Sequence, residues 1–277
     1  MKKILVITNR IKDPKLDEAE KVLKILNDRG AETRLHVYEE ESFLSPDPEA
    51  VLRADAAVVL GGDGTILRAA RDLQNPPRPV LGINLGSVGY LAEVDISDVE
   101  EALEAMIEGR LGTEERMMIS GESKGQSFDA LNEIAIVRNG HLQVLIFKVK
   151  INGRYLFTFA ADGILVATPT GSTAYNLSAG GPIVEPSASM MVLTPICPHS
   201  LKSTPIVLSP DDEIEITLEG PKGHERATVE AVFDGKESIP LCEGDTVKIT
   251  RSLRSITLLK TGRVSFLETL QKKLSGI

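Results

Sequence analysis

The residues best suited to chemistry are Gly61-Gly62-Asp63-Gly64-Thr65. They follow the apolar run Ala56-Ala57-Val58-Val59-Leu60 and precede Ile66, Ala69, Ala70 and Leu73 at helical spacing. Such a pattern predicts a buried parallel strand, a tight turn and a helix. That turn suits an anion, because glycines admit a ligand close to the backbone and a helix N-terminus offers free N–H groups and a positive dipole end. Asp63 runs against this, since a carboxylate repels phosphate. It points to chemistry, either as a Mg²⁺ ligand or as the base that takes a proton from an attacking hydroxyl. The plain alternative is a solvated turn aspartate at the first turn of a helix.

The richest segment starts at Ala161-Asp162-Gly163 and runs through Ile164-Leu165-Val166-Ala167-Thr168 into Pro169-Thr170-Gly171-Ser172-Thr173-Ala174-Tyr175-Asn176-Leu177-Ser178-Ala179-Gly180-Gly181-Pro182. It reads as a strand entering a loop of small hydroxyl residues and glycines. Such residues can present hydroxyls and N–H groups to a polyol or to phosphates. They equally suit a small-residue helix packed tightly on a sheet.

These residues need two kinds of element to hold them. Over residues 1 to about 110 strands and helices alternate: strands at Lys3–Thr8, Thr33–Tyr38, Ala56–Leu60 and Pro79–Leu85, the last leading into Gly86-Ser87-Val88-Gly89-Tyr90, and helices at Asp17–Arg29 and Pro48–Ala54. A further helix is predicted behind a Ser97–Glu100 capping box, with Val99, Leu103, Met106 and Ile107 on its apolar face. Alternation of this kind predicts a parallel sheet covered on both faces.

After Gly112 strands follow one another: Leu142–Ile151 and Tyr155–Ala160 flank Asn152-Gly153, a type I′ hairpin signal, and Ile164–Thr168, Met190–Leu193, Ile206–Leu208, Glu213–Leu218, Thr228–Phe233 and Thr246–Thr250 continue the series. The chain therefore reads as α/β plus β: a Rossmann-like parallel-sheet domain at 1–112, then an antiparallel β-rich domain at 113–262. A final helix, capped by Ser265 and Glu268 and striped by Phe266, Leu267, Leu270 and Leu274, is expected to return to the first domain, giving it residues 263–277.

Composition narrows the function classes. A net charge of -9 argues against a sequence-independent nucleic-acid binder, and the absence of Trp with few other aromatics argues against a base-stacking platform. No run reaches transmembrane length, and Thr8-Asn9-Arg10 ends the opening apolar stretch too early for a signal peptide. Cys197 and Cys242 lack metal-ligand spacing, suggest a reducing compartment and are read as buried thiols.

Taken in order and spacing, Gly61-Gly62-Asp63-Gly64-Thr65, Asn132-Glu133, the block Asp162–Pro182 and Pro198-His199-Ser200-Leu201 resemble the NAD kinase family over nearly the whole chain. The first motif alone is shared with diacylglycerol and sphingosine kinases and phosphofructokinases. The segment Thr168–Tyr175 is specific to NAD kinases. The resemblance implies transfer of the γ-phosphate of ATP to the 2′-hydroxyl of the adenosine ribose of NAD, with Mg²⁺ or another divalent metal. No protein side chain is expected as a direct metal ligand. Asp63 matches the family's proton acceptor, and Gly64 and its neighbours would bind the NAD backbone.

Arg68, about one helical turn on, could reach a phosphate, or be a solvated helix arginine. Asn132 and Glu133, polar residues in an apolar run, would need partners if buried, which a base edge and ribose hydroxyls would supply; the alternative is a bulge or a strand-edge pair open to water. Asp162 resembles a ligand-contacting aspartate, and Thr173, Ala174, Tyr175, Asn176, Leu177 and Ser178 the segment that wraps the nucleotide. His199 reads as structural. Two departures stand out. Lys236 follows Asp234-Gly235 where many members have Gln, and Ala160 stands where some carry Arg, which leaves open ATP alone or polyphosphate as well. The resemblance also implies a cytoplasmic homotetramer or homodimer with no nucleic-acid or membrane partner. A lipid or sugar kinase of the same superfamily would lack the Thr168–Tyr175 segment. A non-catalytic NADP-sensing module would gain nothing from Asp63.

Overall fold

The computed structural model describes residues 1–39, 44–74, 76–86, 89–139, 144–199, 204–221 and 228–275. Ser87 and Val88, Leu142 at the start of an expected strand, and Ser200-Leu201 of the fourth motif lie outside the described residues.

Met1–Glu115 and Ile256–Ile277 form one compact unit. In it β1 (Lys3–Asn9), β2 (Glu32–Tyr38), β3 (Ala56–Gly61) and β4 (Val80–Asn84) pair in parallel in the order β2-β1-β3-β4. The remaining edge of β4 takes β5 (Val94–Asp95) and, from much later in the chain, Leu258 opposite Val80. Strand β3 is buried throughout, as a strand covered on both faces must be. The covering helices are α1 (Asp17–Asp28), α2 (Pro48–Arg53), α3 (Asp63–Asp72) and α4 (Val99–Ile107). Val22 and Leu26 of α1 and Leu103 and Met106 of α4 join Val6, Val58 and Leu81 in one core. Gly30, at φ 78°, ends α1, its N–H donating to the Asn27 carbonyl and that of Ala31 to Leu26.

The capping box expected at Ser97 and Glu100 is not made. A 3₁₀ turn over Ile96–Asp98 absorbs Ser97 and leaves Asp98 at the N-cap without a side-chain bond. The box at Ser265 and Glu268 is made in full. It opens the C-terminal helix Phe266–Leu274, where Phe266 packs on Tyr90 at a 6.0 Å centroid distance while Leu267 and Leu274 stay exposed. The chain just before this helix is pinned by the buried Glu93 carboxylate, which accepts the N–H groups of Thr261 and Gly262 at 2.9 Å each and pairs with Lys260 at 2.7 Å.

Arg116–Ser255 form the second unit. Its strands are β6 (Gly112–Ser123, starting just ahead of it), β7 (Gln126–Ala130), β8 (Glu133–Asn139), β9 (Leu145–Ile151), β10 (Arg154–Ala161) and β11 (Gly163–Ala167). After the short helix α5 (Tyr175–Ser178) come β12 (Met191–Ile196), β13 (Ile206–Leu208), β14 (Ile214–Pro221), β15 (Thr228–Phe233), β16 (Glu237–Leu241) and β17 (Thr246–Lys260). One antiparallel set runs β13-β12-β11-β8-β15-β16, another β10-β9-β14 and on to the start of β17.

Ile134, Ile164, Val166 and Phe233 of the first set share a core with Phe147, Val149, Ile216 and Val247 of the second. Asn152 and Gly153, at φ 52° and 73°, make the expected two-residue turn. Both cysteines are exposed, against the sequence reading: Cys197 sits in a left-handed bend just after β12 and Cys242 in the turn that leaves β16. No helix among the described residues is long and apolar enough to cross a membrane.

Candidate functional site

Strand order in the first unit changes direction at β1, with β2 on one side and β3 on the other. In open α/β sheets the strand ends at such a point are where ligands bind. The turn after β3 is built for closeness: a Cβ on Gly61 would lie 2.4 Å from Thr65 Oγ1, which also accepts from Asn9 Nδ2 at the end of β1. Asp63 is the first residue of α3, and its carboxylate is gripped from outside the helix. Oδ2 accepts the Tyr90 N–H at 2.8 Å and Oδ1 the Leu91 N–H at 3.0 Å. Gly64 beside it is exposed. Arg68 faces a different set of groups, its guanidinium 3.7 Å from the Tyr38 ring centroid and donating to the Leu44 carbonyl. Tyr38 in turn donates to Asp72 at 2.7 Å, so Arg68 is packed into a polar cluster on α3.

In the second unit Asn132 and Glu133 stand at the entrance of β8, and their N–H groups, with that of Leu131, converge on the Asp234 carboxylate. Glu133 is buried, and burial together with the charge of Asp234 pushes its carboxyl up to about 7. Asp162 lies next to β11 and pairs with Arg138 of β8 at 2.6 Å, with His199 Nε2 at 3.5 Å. The Arg138 bond holds its carboxyl below the usual range. Lys236 is exposed on the hairpin loop behind Asp234.

The hydroxyl-rich segment faces inward more than its composition suggests. Thr168 donates to the Leu131 carbonyl, Ser172 donates to the Val184 carbonyl and accepts the Val184 N–H, and Thr170 accepts from Arg116. All three are buried, so these hydroxyls hold the loop rather than face a ligand. Thr173 donates to the Thr170 carbonyl at 3.4 Å. Tyr175, Leu177 and Ser178 are exposed and Ala174 half-buried, whereas Asn176 is fully buried. Its amide donates to the Ser172 and Pro182 carbonyls at 3.1 and 3.0 Å and accepts from Thr194 at 2.7 Å. Asn176→Ala is therefore expected to lower stability by about 2–3 kcal/mol, because it strands buried polar groups. Urea unfolding measures this, and an unchanged midpoint with a raised KM for the ligand would reassign the amide to binding.

Sequence reasoning missed the Tyr90 and Leu91 N–H pair, Arg138 and Asp234. The first two carry no local signal. Asp234 was visible only as half of an Asp-Gly turn.

Two family models match the chain: the ATP-NAD kinase N-terminal domain over residues 45–111 and the ATP-NAD kinase C-terminal domain over 131–261. An NAD kinase of Lachnospira eligens is 39% identical, with 99% of this chain and 100% of that protein covered. An NAD kinase of Agathobacter rectalis is 38% identical over 100% and 99%. Among solved structures, yeast NADH kinase complexed with NADH has a TM-score of 0.83 at 27% identity, covering 99% of this chain and 88% of that one. An Archaeoglobus fulgidus NAD kinase in complex with ATP has 0.80 at 28%, covering 99% of each.

Proposed function

This chain belongs to the ATP-NAD kinase family and phosphorylates NAD to NADP with ATP, and from that premise we propose how its residues divide the reaction. Asp63 accepts the proton of the 2′-hydroxyl of the adenosine ribose as that oxygen bonds to the γ-phosphorus and the bond to the β-phosphate oxygen breaks, releasing ADP. The observation that carries this is the carboxylate itself. Two N–H groups fix its direction at the mouth of α3, where a base must be aimed before it can act. Gly64 and its neighbours in the same turn receive the dinucleotide backbone.

In the second unit Asn132, Glu133, Asp162 and the stretch Thr173–Ser178 bind the nucleotide, Asn176 by holding the loop and Tyr175 by its exposed ring. Lys236 offers a cation where the family has an amide, and Arg68 keeps α3 in place rather than reaching phosphate. Mg²⁺ would come bound to the phosphates of ATP and would neutralise charge there.

With Ala160 in place of Arg, ATP is the donor and polyphosphate a poor one. The enzyme is read as a cytoplasmic homodimer or homotetramer. Exposed Tyr155 on the edge strand β10 is in keeping with contacts between copies. The test is NADP formation from NAD with ATP and Mg²⁺, repeated with polyphosphate and with a chelator. Turnover is expected with ATP alone and should stop with the chelator. Equal rates with polyphosphate would overturn the donor assignment, and turnover in chelator the role of the metal.

A further inference from the structure

Asp234 begins the loop between β15 and β16 in left-handed conformation, φ 47°, followed by Gly235 at 70°. This turns its side chain onto the entrance of β8. Oδ2 accepts the Leu131 N–H at 2.8 Å, Oδ1 accepts those of Asn132 and Glu133 at 2.7 and 3.2 Å, and its own N–H donates to the Glu133 carbonyl at 3.1 Å. From the other side the Thr168 N–H donates to the Asn132 carbonyl at 2.9 Å, and a Cβ on Gly171 would lie 2.0 Å from that oxygen. Consecutive N–H groups converging on one carboxylate make charge-assisted bonds about twice as strong as neutral ones. A turn alone would be served as well by Asn, which also tolerates the left-handed region and brings no charge beside Glu133.

We infer that Asp234 is a positioning residue: it fixes the backbone of Leu131–Glu133 so that the side chains of Asn132 and Glu133 meet the dinucleotide, and its charge sets the pH range over which the Glu133 contact holds. The inference rests on the reading above that Asn132 and Glu133 contact NAD. Glu133 Oε2 is buried with no partner among the described residues, a lone acceptor waiting for a donor. The titratable groups that face Glu133 are Asp234, which raises its pKa, and Tyr175 of α5, whose backbone N–H donates to it and lowers it. Its neighbour across the sheet, Ala167 of β11, carries no charge. A ligand hydroxyl or amino group donates more strongly to the ionised carboxylate than to the neutral acid, whose own O–H would also need an acceptor. Contact is therefore strongest above about pH 7 and weakens as the pH falls through that value.

The test is KM for NAD and kcat, measured across about pH 5.5–9 for the wild type, Asp234→Asn and Glu133→Gln, with thermal melts as the folding check. In the wild type KM is expected to climb below neutrality, by at most about tenfold per pH unit for a single proton. Asp234→Asn is expected to raise the high-pH KM about tenfold, leave kcat within about threefold, and move the climb to lower pH because the like charge is gone. Glu133→Gln should abolish the climb.

A folded Asp234→Asn with the wild-type KM and profile overturns the positioning role. So does a kcat loss of about a hundredfold at unchanged KM, which would put Asp234 at the reacting atoms. If Asp234→Asn does not fold, the wild-type profile still decides, because a KM flat between about pH 6 and 8 in the wild type, with KM raised in Glu133→Gln, overturns the inference. If Glu133→Gln matches the wild type throughout, the failure lies with the reading of Glu133 as an NAD contact.

Discussion

Asp63→Asn is expected to lower kcat by about 10²–10⁴ while KM for NAD stays within a few-fold. A sugar hydroxyl is a poor nucleophile at neutral pH, and in the proposed division of roles the carboxylate at the first residue of α3 takes its proton. The amide keeps the shape but not the basicity. It also changes the local bonding, since the Tyr90 and Leu91 N–H groups both donate to Asp63, and an asparagine oxygen can serve one of them while its NH₂ meets the other. That mismatch is expected to cost about 1–2 kcal/mol of stability, a loss that leaves nearly all molecules folded and does not account for a hundredfold fall in kcat. Steady-state kinetics beside a melting curve separates the two effects. Normal turnover in a folded variant would remove Asp63 as the base.

What the sequence made legible follows its local physics. The run Ala56–Leu60, the glycine turn and the helix behind it were readable because burial on both faces and a 3.6-residue period leave distinct marks. Asn152-Gly153 and Ser265–Glu268 were readable because a turn and a cap are settled by adjacent residues. Strand β17 runs ten residues past its expected end at Thr250, because Arg251, Arg254 and the fully exposed Leu253 break the alternation that marks a half-buried strand. The inward turn of Thr168, Thr170 and Ser172 was hidden, since composition does not say which side of a loop faces the sheet. Asp234 was hidden for a different reason. Its partners lie 101 to 103 positions earlier in the chain, so its role exists only once β8 and β15 are paired.

Gly89 is the strictest consequence of that long-range order in the first unit, and Gly89→Ala is expected to cut kcat by about 10² with the fold retained. A Cβ at this position would stand 2.1 Å from Asp63 Oδ1 and 2.8 Å from its Cγ. Gly89 is not among the residues at positive φ, so alanine brings no backbone strain, and the collision is with the free end of a side chain that can swing away. Swinging away is what removes function: the carboxylate loses the Tyr90 and Leu91 N–H groups that aim it, and a base displaced by about an ångström costs rate far more than stability. Loss of both N–H bonds should lower stability by about 2–3 kcal/mol, too little to unfold the enzyme, while kcat falls. In an Asp63→Asn background the same substitution should add almost nothing, because it acts only through that carboxylate. Full activity in Gly89→Ala would mean that the acid does not need this orientation. An additive loss in the double variant would place the effect of Gly89 elsewhere, in the loop that follows β4.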